Sequence, residues 1–381
     1  MNRRLLIVAG EASGDMHAAH IVTALKSLRP SIEVDAMGGE ALRAHGANIL
    51  VDNRDLAVVG LVEVIGHYPA IRRALQTLKN HLQNDPPDLL VLVDYVEFNL
   101  RLARHAKALG IPVLFYISPQ VWAWRQNRVK KIGKVIDRMA VIFPFETRFY
   151  ERHGIPVRYV GNPLVGKVRA TAPADDVANT LGIDRRHPVV GLLPGSRRSE
   201  IARMLPLFAD AAAAIREALP EVQFVLPVAP GIDHDDIAAR LPSRLDVRVS
   251  DRFGAYDLMQ LCDAIVTASG TATLETALMG VPMVIAYRVS PLSYALLRRL
   301  IQIPDIGLVN IVAERRIVPE FVQGDATASN IAAGILRLLR DEQARARMIA
   351  DFETVREKLG DLDGSREMAR LIDEMLPADD A

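Results

Sequence analysis

Residues 189–201 read VVGLLPGSRRSEI: an apolar run passes directly into Pro-Gly-Ser and then into a polar, basic stretch. The pattern predicts a buried strand over Val189–Leu193, a tight turn, and a helix opening at the strand's carboxyl end. That is where doubly wound α/β sheets bind their ligands. Backbone N–H groups and the dipole of such a helix start face an anion. Arg197 adds a guanidinium that can fork onto phosphate oxygens. A solvated basic turn is the plainer alternative, but Gly195, Ser196 and Arg197 coincide at a helix start, which favours phosphate.

On both sides of this stretch, apolar runs alternate with helical patterns, the signature of α/β architecture with parallel sheets. Strands are predicted at Leu5–Ala9, Glu33–Met37, Leu89–Val93, Pro112–Ile117, Arg138–Ile142 and Arg158–Val160, with helices such as Met16–Leu28 and Phe98–Leu109 between them. After 163–182, PLVGKVRATAPADDVANTLG, the rhythm restarts at Val189 and continues through Gln223–Pro227, Asp246–Val249, Ala264–Thr267 and Met283–Tyr287. The expectation is two Rossmann-like doubly wound domains facing a cleft. They occupy 1–165 and 185–344, with a linker over 166–184. Polar helices at about 345–381 are expected to pack back on the first domain.

The chain has 381 residues, enough for two such domains. Its 46 basic and 46 acidic side chains give a formal net charge of zero, which argues against a nucleic-acid binder. A single cysteine, Cys262, excludes an intramolecular disulfide and a cysteine-based zinc site, and fits a reducing cytoplasm. No apolar run reaches the roughly 18–20 residues of a membrane span. The amino-terminal stretch reads as a first strand and not as a signal peptide.

The first strand–helix turn is AGEASGD, residues 9–15. It lacks the glycine spacing of a dinucleotide site, and Glu11 and Asp15 would repel a pyrophosphate. Acids here suit sugar hydroxyls or a base role, unless Ser13 or Asp15 simply caps the helix. His17 is a weak candidate beside this turn. In TASGTATLETALMGVPMVIAY, 267–287, Ser269, Gly270 and Thr271 open another helix. Glu275, one turn in, could accept both hydrogen bonds of a ribose diol. Two anion-ready turns in one domain point to a nucleotide diphosphate. Asp94 ends the strongly apolar strand of LLVLVDYVEFNL, 89–100, with Glu97 and Asn99 close behind. The stretch LFYISPQVWAWRQNRVKKIGK, 114–134, carries both tryptophans and a run of bases, suited to a sugar phosphate or an anionic lipid. Metal signals are poor, so a leaving phosphate would be stabilised by Arg197 and helix dipoles instead of a cation.

Taken together, AGEASGD, ISPQVWAWRQNRVKKIGK, FPFETRFY (143–150), YVGNPL (159–164), LLPGSRRSEI, SGTATLE (269–275), PMVIAYR (282–288) and LVNIVAE (308–314) resemble the lipid-A-disaccharide synthase family, in order and over most of the chain. The resemblance implies a GT-B fold and an inverting, metal-independent transfer with no cofactor. The implied donor is UDP-2,3-diacylglucosamine and the acceptor 2,3-diacylglucosamine 1-phosphate, giving a β-1,6-linked disaccharide and UDP. By position, Asp94 corresponds to the family's base, Arg197 to the arginine on the donor phosphate and Asn310 to the asparagine near the nucleotide. The expected donor side also takes in Gly195, Ser196, Ser269, Gly270, Thr271, Ala272, Thr273 and Glu275 from the two turns of the second domain. The expected acceptor side takes in Glu11, Ser13, Gly14 and Asp15 from the first turn, Glu97 and Asn99, and Ser118, Gln120, Trp122 and Arg125. Two departures stand out: Val96 and Glu97 replace the proline and second aspartate of the family's D-x-P-D-F-N, and Val309 replaces a proline before Asn310.

Two other readings remain at this stage: an enzyme of the UDP-N-acetylglucosamine 2-epimerase kind, and a non-catalytic UDP-sugar binder. The lipid reading is favoured by 56–79, where Val59, Leu61, Val64, Ile65, Ile71 and Leu75 run alongside Arg72 and Arg73, and by 293–301 with Arg298 and Arg299. Apolar strips bordered by bases suit the inner leaflet of a Gram-negative cytoplasmic membrane. Core helices with snorkelling arginines would read the same way. The expected location is cytoplasmic and peripheral, and a homodimer is left open.

Overall fold

The structure is a computed structural model that describes residues 3–56, 63–124, 126–290, 294 and 303–377, with the backbone alone described at 55, 56 and 63–68. It divides into two compact units, one of Met1–Pro163 with Asp361–Ala381 and one of Leu164–Gly360.

The first unit is built on strands β1 (Arg4–Ala9), β2 (Glu33–Gly38), β3 (Asn48–Asp52), β4 (Leu89–Val93), β5 (Val113–Tyr116), β6 (Arg138–Val141) and β7 (Val157–Tyr159). They lie in the order β3-β2-β1-β4-β5-β6-β7, and every pairing is parallel. The apolar runs are continuous because helices cover both faces. Leu6, Val8, Leu90, Leu92, Val113 and Phe115 point to one face, where Leu78 and Leu82 of the helix Glu63–Asn84 and Phe98 and Leu102 of Val96–Ala108 meet them. Leu5, Ile7, Leu89, Val91 and Leu114 point to the other, under Ile21 and Leu25 of the helix Ala12–Leu28. This alternation is the period of two that a strand imposes.

The carboxyl-terminal helix Gly364–Met375 completes that second face with Met368, Leu371 and Ile372. Asp363 caps it by accepting from the amides of Ser365 (3.0 Å) and Arg366 (3.2 Å). Arg158 forks onto Glu374 at 2.7 and 2.9 Å. Gly161, at φ +93°, lets the backbone pass close beneath Leu362, whose carbonyl oxygen a Cβ would meet at 2.6 Å.

The second unit carries β8 (Val189–Leu193), β9 (Gln223–Pro227), β10 (Val247–Ser250), β11 (Ala264–Thr267), β12 (Met283–Tyr287) and β13 (Glu320–Val322), in the order β10-β9-β8-β11-β12-β13, again parallel. Both sheets therefore reverse direction beside their first strand, the topology that opens a ligand crevice at the strands' carboxyl ends.

Two boundaries differ from the sequence expectation. The expected linker over 166–184 contains the helix Ala174–Leu181, whose Val177 and Ala178 are buried in a core cluster of the second unit. Asp257 holds the chain just before it by accepting from the amides of Thr171 (2.6 Å) and Ala172 (2.9 Å). The helix Glu342–Leu359 also stays with the second unit, where Arg356 donates to Leu278 O and Lys358 to Ala313 O. The return to the first unit is confined to the residues from Asp361 onward.

Candidate active site

In the first unit the crevice is made by the ends of β1 and β4, where Ala9 pairs in register with Val93. Gly10 is required here because a Cβ would lie 2.4 Å from the Tyr95 ring. Asp94 and Tyr95 both adopt left-handed backbone conformations, with φ of +47° and +40°. Such angles are uncommon for non-glycine residues and persist where neighbours over-determine them. The Asp94 amide donates to Tyr116 O (3.0 Å), and the buried Asn99 amide nitrogen donates to Asp94 O (2.7 Å) and Val93 O (3.3 Å). Asn99 therefore shapes the aspartate turn from beneath.

Half-burial raises the Asp94 carboxyl above its ordinary range, and the nearby Glu11 charge raises it further. A carboxylate of raised pKa at the mouth of a crevice is the electrostatic profile of a general base. Asp15, expected on a sugar, is instead buried and committed: it accepts from the amides of Gly39 (2.7 Å), Ala41 (3.0 Å) and Leu42 (3.3 Å). It caps the short helix Glu40–Ala44 and holds the end of β2. Ser13 and Glu11 are exposed, Gly14 is buried against Val93 and Ala9, and His17 is half-buried. Glu97 is exposed and paired with Arg128.

The loop after β5 begins at Ile117, a β-branched residue at φ +63°. Ser118 is buried and donates to Glu146 Oε1 (2.6 Å), and the Trp122 indole nitrogen donates to the same oxygen (3.0 Å). Trp122 is thereby a packed side chain, edge-on to Phe145 with centroids 4.9 Å apart. Gln120 is exposed, and Arg125 lies outside the described residues.

In the second unit the corresponding crevice is made by the ends of β8 and β11. Arg197 is exposed at the start of the helix Arg198–Ala218. Gly195 sits at φ +117°, where a Cβ would lie 2.2 Å from the Glu200 carboxylate folded back over it, and the Ser196 amide donates to Glu200 Oε2 (3.2 Å). The turn read as anion-ready thus already holds a carboxylate of its own helix.

On the other side of this crevice, Gly270 at φ +150° opens the helix Thr271–Leu278. Ser269 donates to Ile306 O (2.8 Å) and Thr273 to Gly270 O (2.8 Å), so both hydroxyls brace the turn. Thr271 is exposed and Ala272 half-buried. Glu275 accepts from the Tyr256 hydroxyl at 2.9 Å, and burial raises its carboxyl. Tyr256 orients one carboxylate oxygen of the proposed diol acceptor.

Asn310, expected near the nucleotide, is 1 % exposed and fully engaged. Its oxygen accepts from the amides of Ile317 (2.8 Å) and Val318 (2.9 Å), and its nitrogen donates to Val318 O (2.8 Å) and Glu320 Oε1 (2.8 Å). Glu320 in turn accepts from the amides of Ile306 and Gly307. The pair pins the strand β13 to the turn that supports Ser269.

Of the residues expected at a membrane, Val59 and Leu61 lie outside the described residues, as do Arg298 and Arg299, and the side chains of Val64 and Ile65 are not described. Ile71 and Leu75 are half-buried against the first unit's core, while Arg72 and Arg73 are exposed. The described part of this stretch, in the helix Glu63–Asn84, thus supplies core contacts as well as a basic face. Among the described residues, one cluster has metal-ligand spacing, Asp35, His81 and Asp85. Arg4 stands among these acids, 3.3 Å from Asp35 and in contact with Asp85, and offsets part of their charge. Sequence reasoning assigned no role to Glu146, Glu200, Tyr256 or Glu320. Glu146 and Glu200 lie inside quoted motifs, FPFETRFY and LLPGSRRSEI, where a carboxylate among apolar or basic neighbours was the available signal.

The description "Lipid-A-disaccharide synthetase" belongs to the family model that matches residues 5–372. The lipid-A-disaccharide synthase of Geobacter sulfurreducens is 51 % identical over 98 % of this chain and 98 % of its own, and that of Coxiella burnetii is 39 % identical over 98 % and 99 %. Among solved structures, the Neisseria meningitidis UDP-GlcNAc 2-epimerase bound to UDP-GlcNAc matches with a TM-score of 0.68 at 14 % identity, covering 97 % of this chain and 100 % of that one. The calicheamicin glycosyltransferase CalG4 matches with 0.59 at 16 % identity, covering 98 % of both. These structural likenesses show the GT-B fold, and the sequence likenesses choose within it. The chain belongs to the lipid-A-disaccharide synthase family, glycosyltransferases of lipid A biosynthesis.

Proposed function

We propose that this glycosyltransferase moves 2,3-diacylglucosamine from UDP-2,3-diacylglucosamine to 2,3-diacylglucosamine 1-phosphate, with inversion, releasing UDP and a β-1,6-linked tetraacyl disaccharide 1-phosphate. The observation that carries the reading is Asp94, whose carboxyl is raised by burial and by Glu11 on a turn that Asn99 holds rigid. Asp94 takes the proton of the acceptor's 6-hydroxyl as that oxygen attacks the donor's anomeric carbon from the face opposite the phosphate. The bond from the anomeric carbon to the phosphate oxygen breaks, and UDP leaves with the electron pair.

Arg197 and the amides of the 195–197 turn balance the charge that develops on the leaving diphosphate. For the phosphate to use the Ser196 amide, the Glu200 carboxylate gives it up on binding. Glu275, held by Tyr256, accepts from the ribose hydroxyls. Asn310 contributes by supporting the turn and not by touching the nucleotide. The reading needs no metal or other cofactor, and it takes the protein to work at the inner face of the cytoplasmic membrane on acylated substrates.

The test is incubation of the purified protein with both lipid substrates and analysis of the products by mass. The expected result is UDP and a tetraacyl disaccharide phosphate in equal amounts, at the same rate with and without EDTA. Turnover of UDP-N-acetylglucosamine to its 2-epimer, with no disaccharide, would replace the reading by the epimerase one. Loss of activity in EDTA that Mg²⁺ restores would overturn the metal-free mechanism.

A further inference from the structure

Glu146 is 2 % exposed, and donors surround it. Ser118 Oγ (2.6 Å) and Trp122 Nε1 (3.0 Å) donate to one carboxylate oxygen, and the Phe143 amide (3.1 Å) donates to the other. A buried carboxylate is costly unless its oxygens are satisfied, so this arrangement is a built site and not an accident of packing. Its partners lie in the loop that follows β5. That loop opens with the strained turn at Ile117, and the residue before it, Tyr116, accepts the Asp94 amide at 3.0 Å. A left-handed β-branched residue needs fixed neighbours on both sides. Upstream, Ile117 is held by its own amide bond to Ala140 O (3.1 Å), and downstream by Ser118 on Glu146.

We propose that Glu146 is a positioning residue of the active site: as a carboxylate it holds the Ser118–Trp122 loop and the Ile117 turn beside Asp94, and on protonation it lets that loop go. The proposal deepens the function given above and rests on it for the role of Asp94. Trp122 Nε1 and the Phe143 amide can only donate, and the Ser118 hydroxyl can accept from a protonated Glu146 oxygen only by turning its own proton to Pro119 O (3.3 Å), so protonation reverses one bond and strips the other two of their charged acceptor, which weakens the hold on the loop. Burial pushes the Glu146 carboxyl up to about 7 against the pull of its donors, which puts the change within the neutral range. The titratable groups coupled to it among the described residues are Tyr150 on its own helix, Pro144–Glu151, and Tyr159 on β7. Both phenols are raised by burial and stay neutral through this range, so the titration belongs to Glu146.

The chain has two tryptophans, Trp122 and Trp124, and the first is bonded to this carboxylate. Tryptophan emission therefore reads the loop directly. In the wild type it should shift with a midpoint near pH 7. Glu146→Gln, which keeps the shape and mimics the protonated acid, should show low-pH emission at every pH. Trp122→Phe should remove the titrating component. Asp94→Asn should keep it, since Asp94 is not among the groups that shift Glu146. With lipid substrates, Glu146→Gln should raise the acceptor KM and lower kcat together, by up to roughly 100-fold for a misplacement of about 1 Å.

A wild-type emission that does not change between pH 5 and 9, or a Glu146→Gln protein that titrates as the wild type does, would overturn the proposal. So would a folded Glu146→Gln enzyme with wild-type kcat and KM. The emission experiment needs no lipid, so the positioning role and the proposed reaction fail separately: absence of disaccharide product removes the reaction while leaving the titration to be judged alone.

Discussion

At the scale of single residues, Asp94 and Glu11 form an unequal pair, one half-buried and one exposed. Asp94→Asn should lower kcat by roughly 10²–10⁴ while leaving UDP affinity nearly unchanged, because an amide cannot take the acceptor's proton. Retention of more than about a third of the activity would remove Asp94 from the base role. The pair also sets a pH dependence whose sign follows from its charges. Activity requires ionised Asp94, so kcat/KM falls as pH drops through the raised Asp94 pKa. Glu11→Gln removes a like charge, lowers that pKa and moves the acid limb to lower pH. Measured in the Glu146→Gln background, where the loop no longer titrates, a limb that stays in place or moves up would show that Glu11 does not act on Asp94.

The chemistry of this pair was legible in the sequence, since an acid at the end of an apolar strand and an acid in the first turn are both local signals. Which neighbouring polar residues serve the backbone was not. Asp15 and Asn99 stand as close to these signals in sequence as Glu11 does, yet one caps Glu40–Ala44 and the other holds the Asp94 carbonyl. Those partners lie across a helix or a strand end, and only folding brings them into range.

At the scale of elements, the strands legible in the sequence are all the central ones and two of the edges, β7 and β10. Leu89–Val93 and Val189–Leu193 are buried along their whole length and read as pure apolar runs. The other two edge strands, β3 and β13, escape such a reading; they are half-buried and of mixed polarity, as β7 and β10 also are. The helix Ala174–Leu181 escapes it because a two-residue buried stripe between Pro173 and Gly182 looks like a linker.

The edge strand β13 depends on a polar clamp, and this gives Asn310 its role. Asn310→Ala would leave the buried amides of Ile317 and Val318 without acceptors, each at a cost of about 1–3 kcal/mol. Thermal denaturation should show a midpoint lowered by several degrees. Asn310→Asp should also destabilise, since it sets a second carboxylate against Glu320. Wild-type melting combined with lost UDP binding would instead return Asn310 to the nucleotide.

At the scale of the whole molecule, the proposed function asks a protein with zero formal charge to meet an anionic leaflet, which it would do through a local patch. No described helix is long and apolar enough to cross a membrane. Both proposed substrates carry acyl chains, so the enzyme must work at the bilayer surface or draw them partly out of it. Ile71 and Leu75 are half-buried against the core and offer little apolar area to lipid, which leaves the exposed Arg72 and Arg73 as the described part of the proposed contact. Each base near an anionic surface contributes about 1 kcal/mol, and salt screens that contribution within a Debye length. Sedimentation with vesicles containing anionic lipid should therefore be strong at low salt and reduced at high salt. Replacing Arg72 and Arg73 together by Gln removes about 2 kcal/mol, a roughly thirtyfold weaker partition, without lowering the melting midpoint, because both side chains stand in solvent. Binding that ignores both salt and the double replacement would place the membrane contact on another face of the molecule.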